Sequence, residues 1–244
     1  MSANSSDGFE PTFENGGFWE YYKDLEKQFS EFLTFVPYLK GNEGTYSFRL
    51  ANLMVNIGAH IDSAFKEIIK HQFFSNFPNM LNPTYSNGQP RFLNICDFYP
   101  VSEEYDLPSR KVIFKRLPNR EDIFPFRGYI RQNNGLPYWW DNYNNIKHHF
   151  DQCFKEATLE TVRDALAGAF LLNVIHKPAR KRLFDYGLLT PKYQQGTTFF
   201  ETYNDLFDGE SMFPRRISEV KTNNPFRMDT EIFSFDYEGI NLRQ

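Results

Sequence analysis

Apolar residues recur at three- and four-residue steps in four stretches of this chain. In the first, Trp19, Tyr22, Phe29, Phe32, Leu33 and Val36 are separated by charges. This predicts a helix over about 18–36, stopped by Pro37. In the second, Leu50, Leu53, Met54, Ile57, Ile61, Ala64, Phe65 and Ile68 form one stripe. The spacing predicts a helix over about 45–72, with Thr45 as its N-cap. The third opens at Pro137, a residue suited to a first helical turn, and puts Trp139, Tyr143, Ile146, Phe150, Cys153 and Phe154 on one face. It predicts a helix over about 137–155. The fourth begins at Thr158 and turns Leu159, Val162, Leu166, Ala169, Phe170 and Val174 inward. It runs to about 177, with Pro178 as its stop. The short join between the third and fourth makes them antiparallel neighbours.

The rest of the chain has a different texture. Residues 1–14 read as a disordered tail. Residues 75–136 are punctuated by prolines and by Asn-Gly and Asn-Pro pairs, and they interrupt the helical pattern as an insertion. Arg91–Tyr99 and Lys111–Lys115 look like short strands within it. Residues 179–244 read as an extension packed on the helices. There Ile232–Tyr237 alternates, and Thr222–Pro225 supplies turn residues, which predicts a hairpin. The fold expected is mainly α: a four-helix bundle over 15–178 with a strand-containing insertion and a small hairpin-like C-terminal extension.

Composition narrows the function classes. Aromatic residues make up 18% of the chain, enough to build a large core. The net charge of −4 removes any global basic field that would recruit nucleic acid. Two cysteines exclude a disulfide scaffold and a Cys-based structural zinc site. No apolar run is long enough to span a membrane, and Met1–Asn15 has no apolar signal-peptide segment. The expectation is a cytoplasmic protein with no metal or cofactor. Phosphate-loop, dinucleotide-loop, His-Glu-x-x-His and nucleophile-elbow motifs are all absent from the sequence.

The segment Trp139–His149 carries the candidate chemistry. Asn144 and His148 are four apart and share the face opposite the apolar one, with Lys147 beside them. An imidazole can move a proton near neutral pH. An ammonium can hold a phosphate or stabilise developing negative charge. An amide can orient a substrate. On the second helix, Asp62 and Lys66 are also four apart. As an exposed pair they contribute only about 0.3–0.5 kcal/mol. If the second helix packs beside the third, Asp62 is placed to orient His148, and Lys66 to contact substrate. Trp140 is a candidate base-stacking ring. Two basic clusters could touch phosphates: Arg110, Lys111, Lys115 and Arg116, and Lys177, Arg180, Lys181 and Arg182. Cys153 lies on the apolar stripe and reads as a small core residue. Each of these features also has an ordinary explanation as a solvated or packed helix face.

Phe18-Trp19 and Tyr22, Tyr46-Ser47, Asp62 and Lys66, and the run Tyr143-Asn144-x-Ile-Lys147-His148 together resemble a group of uncharacterised bacterial proteins. Their helical core is similar to the HEPN superfamily (higher eukaryotes and prokaryotes nucleotide-binding). The resemblance implies a helical bundle, commonly a homodimer. It also implies either a metal-independent ribonuclease of toxin or antiviral defence systems, or a protein that only binds RNA, nucleotides or partners. The superfamily's nuclease motif is an Arg, then four to six residues, then a His. None of the five histidines here has that Arg. His148 stands in the place of the motif's His, Asn142 or Asn144 where the polar positions fall, and Lys147 where a cation could substitute. Two readings remain open. In one, His148 acts as general base or acid, Lys147 stabilises the phosphorane charge, Asn144 positions RNA and Asp62 orients the imidazole. In the other, the same face binds RNA, a nucleotide or a protein partner without turnover.

Overall fold

The computed structural model describes residues 16–115, 121–176, 178–179, 183, 188–191, 207–208, 211–214 and 226–236. The expected tail at 1–14, and the basic residues Arg116, Lys177, Arg180, Lys181 and Arg182, lie outside them. The protein is mainly helical with a small antiparallel sheet.

Helix α1 (Gly17–Phe35) starts after Gly16, whose φ of 76° is the left-handed conformation that glycine adopts without strain. It ends before Pro37, as its pattern predicts. Helix α2 (Phe48–Gln72) is capped by Ser47, whose hydroxyl accepts from the Leu50 N–H at 3.1 Å. The expected cap, Thr45, is used otherwise: its carbonyl accepts from the Leu159 N–H at 2.7 Å, and Tyr46 bridges to Thr158. A chain held to another segment at 45–46 cannot begin its helix there.

The insertion is more helical than its sequence suggests. It contains α3 (Phe77–Leu81) and α4 (Tyr99–Tyr105) as well as strands β1 (Val112–Phe114) and β2 (Glu121–Ile123). The strand expected over Arg91–Tyr99 is absent. Asn94 and Asp97 form a capping box there and open a 3-10 turn that leads into α4. The strand expected at Lys111–Lys115 is present as β1.

Helix α5 (Tyr138–His148) follows Pro137 and stops earlier than predicted. At His149 the backbone leaves the helical region (φ −138°, ψ 52°). A short α6 (Phe150–Cys153) and a 3-10 turn then fold back. The fold-back is held by Glu156. Its carboxylate accepts from Asn145 Nδ2 at 2.9 Å, and its carbonyl accepts from the Thr161 hydroxyl at 3.0 Å. Phe150, Cys153 and Phe154 therefore do not extend the apolar stripe of α5; all three are half-buried. Helix α7 (Leu159–Ile175) begins at Thr158, whose hydroxyl accepts from the Thr161 N–H at 3.2 Å. Nearly every residue of α7 is buried, as a helix apolar all round its circumference must be.

Contacts between these helices settle their directions. Thr45 meets Leu159 near the starts of α2 and α7, and His60 meets Asn173 farther along both, so α2 and α7 run parallel. Phe18 packs on His60 and Glu31 pairs with Arg49, so α1 runs against α2. Tyr143 covers Gly58 while Phe150, just past α5, stacks on Phe48, so α5 also runs against α2. The expected antiparallel relation of the third and fourth helices holds.

The insertion and the tail meet in one five-stranded sheet of order β2-β1-β7-β6-β3. Here β3 is Leu189–Pro191, β6 is Phe226–Asp229 and β7 is Phe233–Asp236. A separate pair, β4 (Phe207–Asp208) and β5 (Ser211–Pro214), completes the described strands. A hairpin exists in the tail, but its turn lies at 230–232; Thr222–Pro225 lie outside the described residues. The sheet packs on α7, with Phe233 stacked on Phe170 at 5.8 Å. The hairpin turn is clasped to α1. Thr230 Oγ1 donates to buried Glu26, as does the Ile232 N–H at 3.3 Å, and Ser30 Oγ donates to Glu231 at 2.8 Å. Burial raises the Glu26 carboxyl above its ordinary range.

Candidate functional site

Two glycines position α5. A Cβ at Gly58 would lie 2.3 Å from the Tyr143 ring, so this ring sits directly on the backbone of α2. A Cβ at Gly168 would lie 3.3 Å from Trp139, whose indole N–H donates to the Pro125 carbonyl at 2.7 Å. Helix α5 therefore rests in grooves of α2 and α7, with Trp139, Trp140, Tyr143 and Ile146 buried. The opposite side faces water: Asn145, Lys147 and His148 are exposed, and Asn144 is half-buried. Lys147 Nζ lies 5.4 Å from the centroid of the Tyr143 ring, a cation–π contact. Among the described residues the His148 side chain has no hydrogen bond or ion pair.

Asn144, Lys147 and His148 thus share one accessible face, as their spacing implies. Asp62 does not join them. Because α5 runs against α2, the step from Tyr143 to His148 leads toward the start of α2, while the step from Gly58 to Asp62 leads toward its end. At 1.5 Å of rise per residue the two side chains are rooted about 13 Å apart along the helix axis. Asp62 pairs instead with Lys66 at 2.5 Å, each side chain about a third exposed, an ion pair of little energetic weight. The carboxylate–imidazole pair expected from sequence is not formed, and Lys66 is taken by its own neighbour. Trp140 is not available for stacking a base either. It is 5% exposed, its ring tilted against Tyr143 at 5.0 Å and against Trp139 at 5.7 Å. The described members of the first basic cluster are engaged locally. Arg110 donates to the Tyr105 carbonyl at 3.0 Å, Lys111 pairs with Asp122 at 2.9 Å, and Lys115 donates to the Thr230 carbonyl at 2.6 Å.

Three groupings, two polar and one aromatic, escape a reading of the sequence. Arg163 and Asp164, both buried, pair at 2.5 Å, and Tyr138 donates to the second carboxylate oxygen at 2.5 Å. Arg163 also donates to the Tyr38 hydroxyl and lies over the Tyr38 and Phe114 rings at 4.9 and 5.6 Å. Burial, then Asp164, raises the Tyr138 hydroxyl far above its ordinary value. The only sequence signal is an adjacent pair of opposite charges in an otherwise apolar helix. In the second grouping, His60 is buried beside Phe18 and Tyr21 and accepts from Asn173 Nδ2 at 2.8 Å. Burial lowers it to about 3, so the ring is neutral. Helical spacing alone puts His60 beside the apolar stripe but names no partner.

The third grouping adjoins the exposed face of α5. Where the chain folds back after His149, Phe154 stacks on Phe48 at 4.4 Å, and Phe150 lies nearly parallel to Phe48 at 6.2 Å. Tyr46 meets the edge of Phe154 at 5.9 Å, with Lys155 Nζ 5.9 Å from the Tyr46 ring. Phe48 is 59% exposed and Tyr46 46%. The available signal was that Phe48 falls two residues, or about 200°, around the helix from Leu50 and so lies off the apolar stripe.

No family model, no curated protein and no solved structure matches this chain. Among the described residues no cluster of three His, Cys, Asp or Glu is placed to hold a metal ion. The arrangement offers an ammonium, an imidazole and an amide on one accessible helix face, with aromatic rings alongside.

Proposed function

We propose that this chain is a HEPN-like helical bundle that binds RNA or a nucleotide without cleaving it. One observation carries the reading: Asn144, Lys147 and His148 present their polar groups together on the open face of α5, with Asp62 on the far side of the helix crossing. An ammonium and an imidazole on an open face suit a phosphate. Proton transfer in catalysis needs a positioned imidazole, and among the described residues no carboxylate pairs with His148 to fix its tautomer. The alternation of α1, α2, α5 and α7 in direction supports the bundle.

The test is a fluorescence binding titration with a labelled mixed-sequence RNA in EDTA, followed by electrophoresis of the same samples. Saturable binding that weakens with salt, and intact RNA, are expected. Lys147→Glu weakens binding several-fold and lowers the salt slope by about one or more. RNA cut by the wild-type protein and spared by His148→Ala would replace this reading with the metal-independent ribonuclease. Absence of binding even at low salt would leave a protein-interaction module.

A further inference from the structure

The aromatic shelf at the start of α2 combines three properties that no packing requirement explains. Two of its rings, Tyr46 and Phe48, are exposed, their backbone is held by hydrogen bonds, and among the described residues the cations beside them form no ion pair. Phe48 keeps more than half of its surface in water although two other rings lie within reach of it. The mounting is firm. Ser47 caps the helix that carries Phe48, and the segment before it is held by backbone hydrogen bonds from Leu159 to Thr45 (2.7 Å) and from Glu160 to Glu43 (3.1 Å). The opposing rings, Phe150 and Phe154, stand on the fold-back that Glu156 secures. Among the described residues neither Lys147 nor Lys155 forms an ion pair; each lies near a ring instead. His148 and His149 are exposed between Lys147 and Phe150. Of the two acids on the fold-back, Glu156 is bonded to Asn145 and Asp151 points to solvent.

Planar rings with about half their surface in water and ammonium groups beside them are the two elements of a single-strand binding platform. Bases stack on the rings, and the phosphates between them meet the cations. A protein partner would call for an apolar surface with matched charges, whereas here, among the described residues, neither neighbouring ammonium is paired with a carboxylate. We propose that Phe48 and Tyr46 stack unpaired nucleobases whose phosphates lie along Lys155 and Lys147. This inference rests on the nucleic-acid reading of the α5 face and extends it with a second, uncharged component.

The experiment is a binding titration of the full chain with a labelled ten-nucleotide RNA, its DNA counterpart and the same RNA as a duplex. Phe48→Ala and Tyr46→Ala are each expected to weaken single-strand binding roughly ten-fold, with an unchanged salt slope because no charge is removed. Phe48→Trp restores binding and Phe48→Leu does not, which separates stacking from apolar contact. Lys155→Ala lowers the salt slope by about one. Thermal midpoints of the variants fall by no more than a few degrees, since the rings lost are about half in water, and binding is compared well below them. Tighter binding of RNA than of DNA assigns the ligand to RNA, and equal binding assigns it to single strands in general; either supports the platform. Wild-type affinity in both alanine variants overturns the platform but leaves the α5 reading standing. Equal affinity for duplex also overturns it. So does a change in oligomeric mass in Phe48→Ala without a change in binding, which would make the shelf an interface between copies. Failure of the wild-type chain to bind any of the three probes removes both readings.

Discussion

Gly58 decides whether α5 can lie where it does. Its missing side chain lets the Tyr143 ring rest on the α2 backbone, and a methyl there would overlap ring carbons at 2.3 Å. Gly58→Ala is therefore expected to cost about 1–3 kcal/mol, the usual penalty for overpacking a core, despite the better helix propensity of alanine. A urea titration followed by circular dichroism measures it, and an unchanged midpoint would show that α5 moves freely. The glycine itself is visible in the sequence, inside a strong helical pattern. What it faces is not, because Tyr143 stands 85 positions away and only packing brings the two together. The same holds for His148. Its position on the open face follows from a spacing of four from Asn144. Its separation from Asp62 follows from the direction of α5 relative to α2, which no periodicity encodes.

At the scale of elements, the long apolar stripes of α1, α2 and α7 are legible because a buried face forces apolar residues to recur at the helical period. Local chemistry also marks several ends: Thr158 as a cap and Pro37 as a stop behave as their types require. Elements whose ends depend on distant partners are read less well. The α5 pattern continues through Phe154, yet the helix breaks at His149 and the fold-back is tied down by Glu156. The buried pair on α7 has the same character. Arg163 and Asp164 join α7 to α5 through Tyr138 and to the loop after α1 through Tyr38. Removal of Asp164 takes from the buried Arg163 guanidinium its closest carboxylate, with the half-exposed Glu160 farther off at 3.9 Å. Asp164→Ala is therefore expected to lower unfolding free energy by about 3–5 kcal/mol, measured by urea denaturation. A loss below about 1 kcal/mol would mean that water reaches the guanidinium.

For the molecule as a whole, stability should depend on pH through its buried titratable groups. His60 is lowered to about 3 from 6.5, so it binds protons in the unfolded chain before it does in the folded one. Its contribution is fully present above about pH 6.5 and is lost as pH falls toward 3, at about 1.4 kcal/mol per unit. Glu26 acts in the opposite sense. Its raised carboxyl holds a proton longer in the folded state, so its contribution declines as pH rises above 4.5. Urea midpoints measured from pH 3.5 to 7 should rise with pH, and His60→Gln, which cannot titrate, should flatten that rise. An identical slope in the variant would show that the imidazole is not the group responsible. The sheet is also a property of the whole chain. Strands β1 and β7, about 120 residues apart, pair at Ile113–Ser234 and Phe114–Phe233. What reads as an insertion and a separate extension is one layer covering α7.

The order of residue types along the chain was enough to set the four main helices, the accessible side of α5 and the shortage of basic charge, since each depends on neighbours within a few turns. Tertiary packing alone decided the break at His149, the joining of β1 to the tail hairpin, the burial of Trp140 and the parting of Asp62 from His148. It also assembled the shelf of Tyr46, Phe48, Phe150 and Phe154. The break at His149 turns on Glu156, eleven positions from Asn145, and the others on helix direction and on contacts between residues about 85 to 120 positions apart; side-chain periodicity carries no record of either.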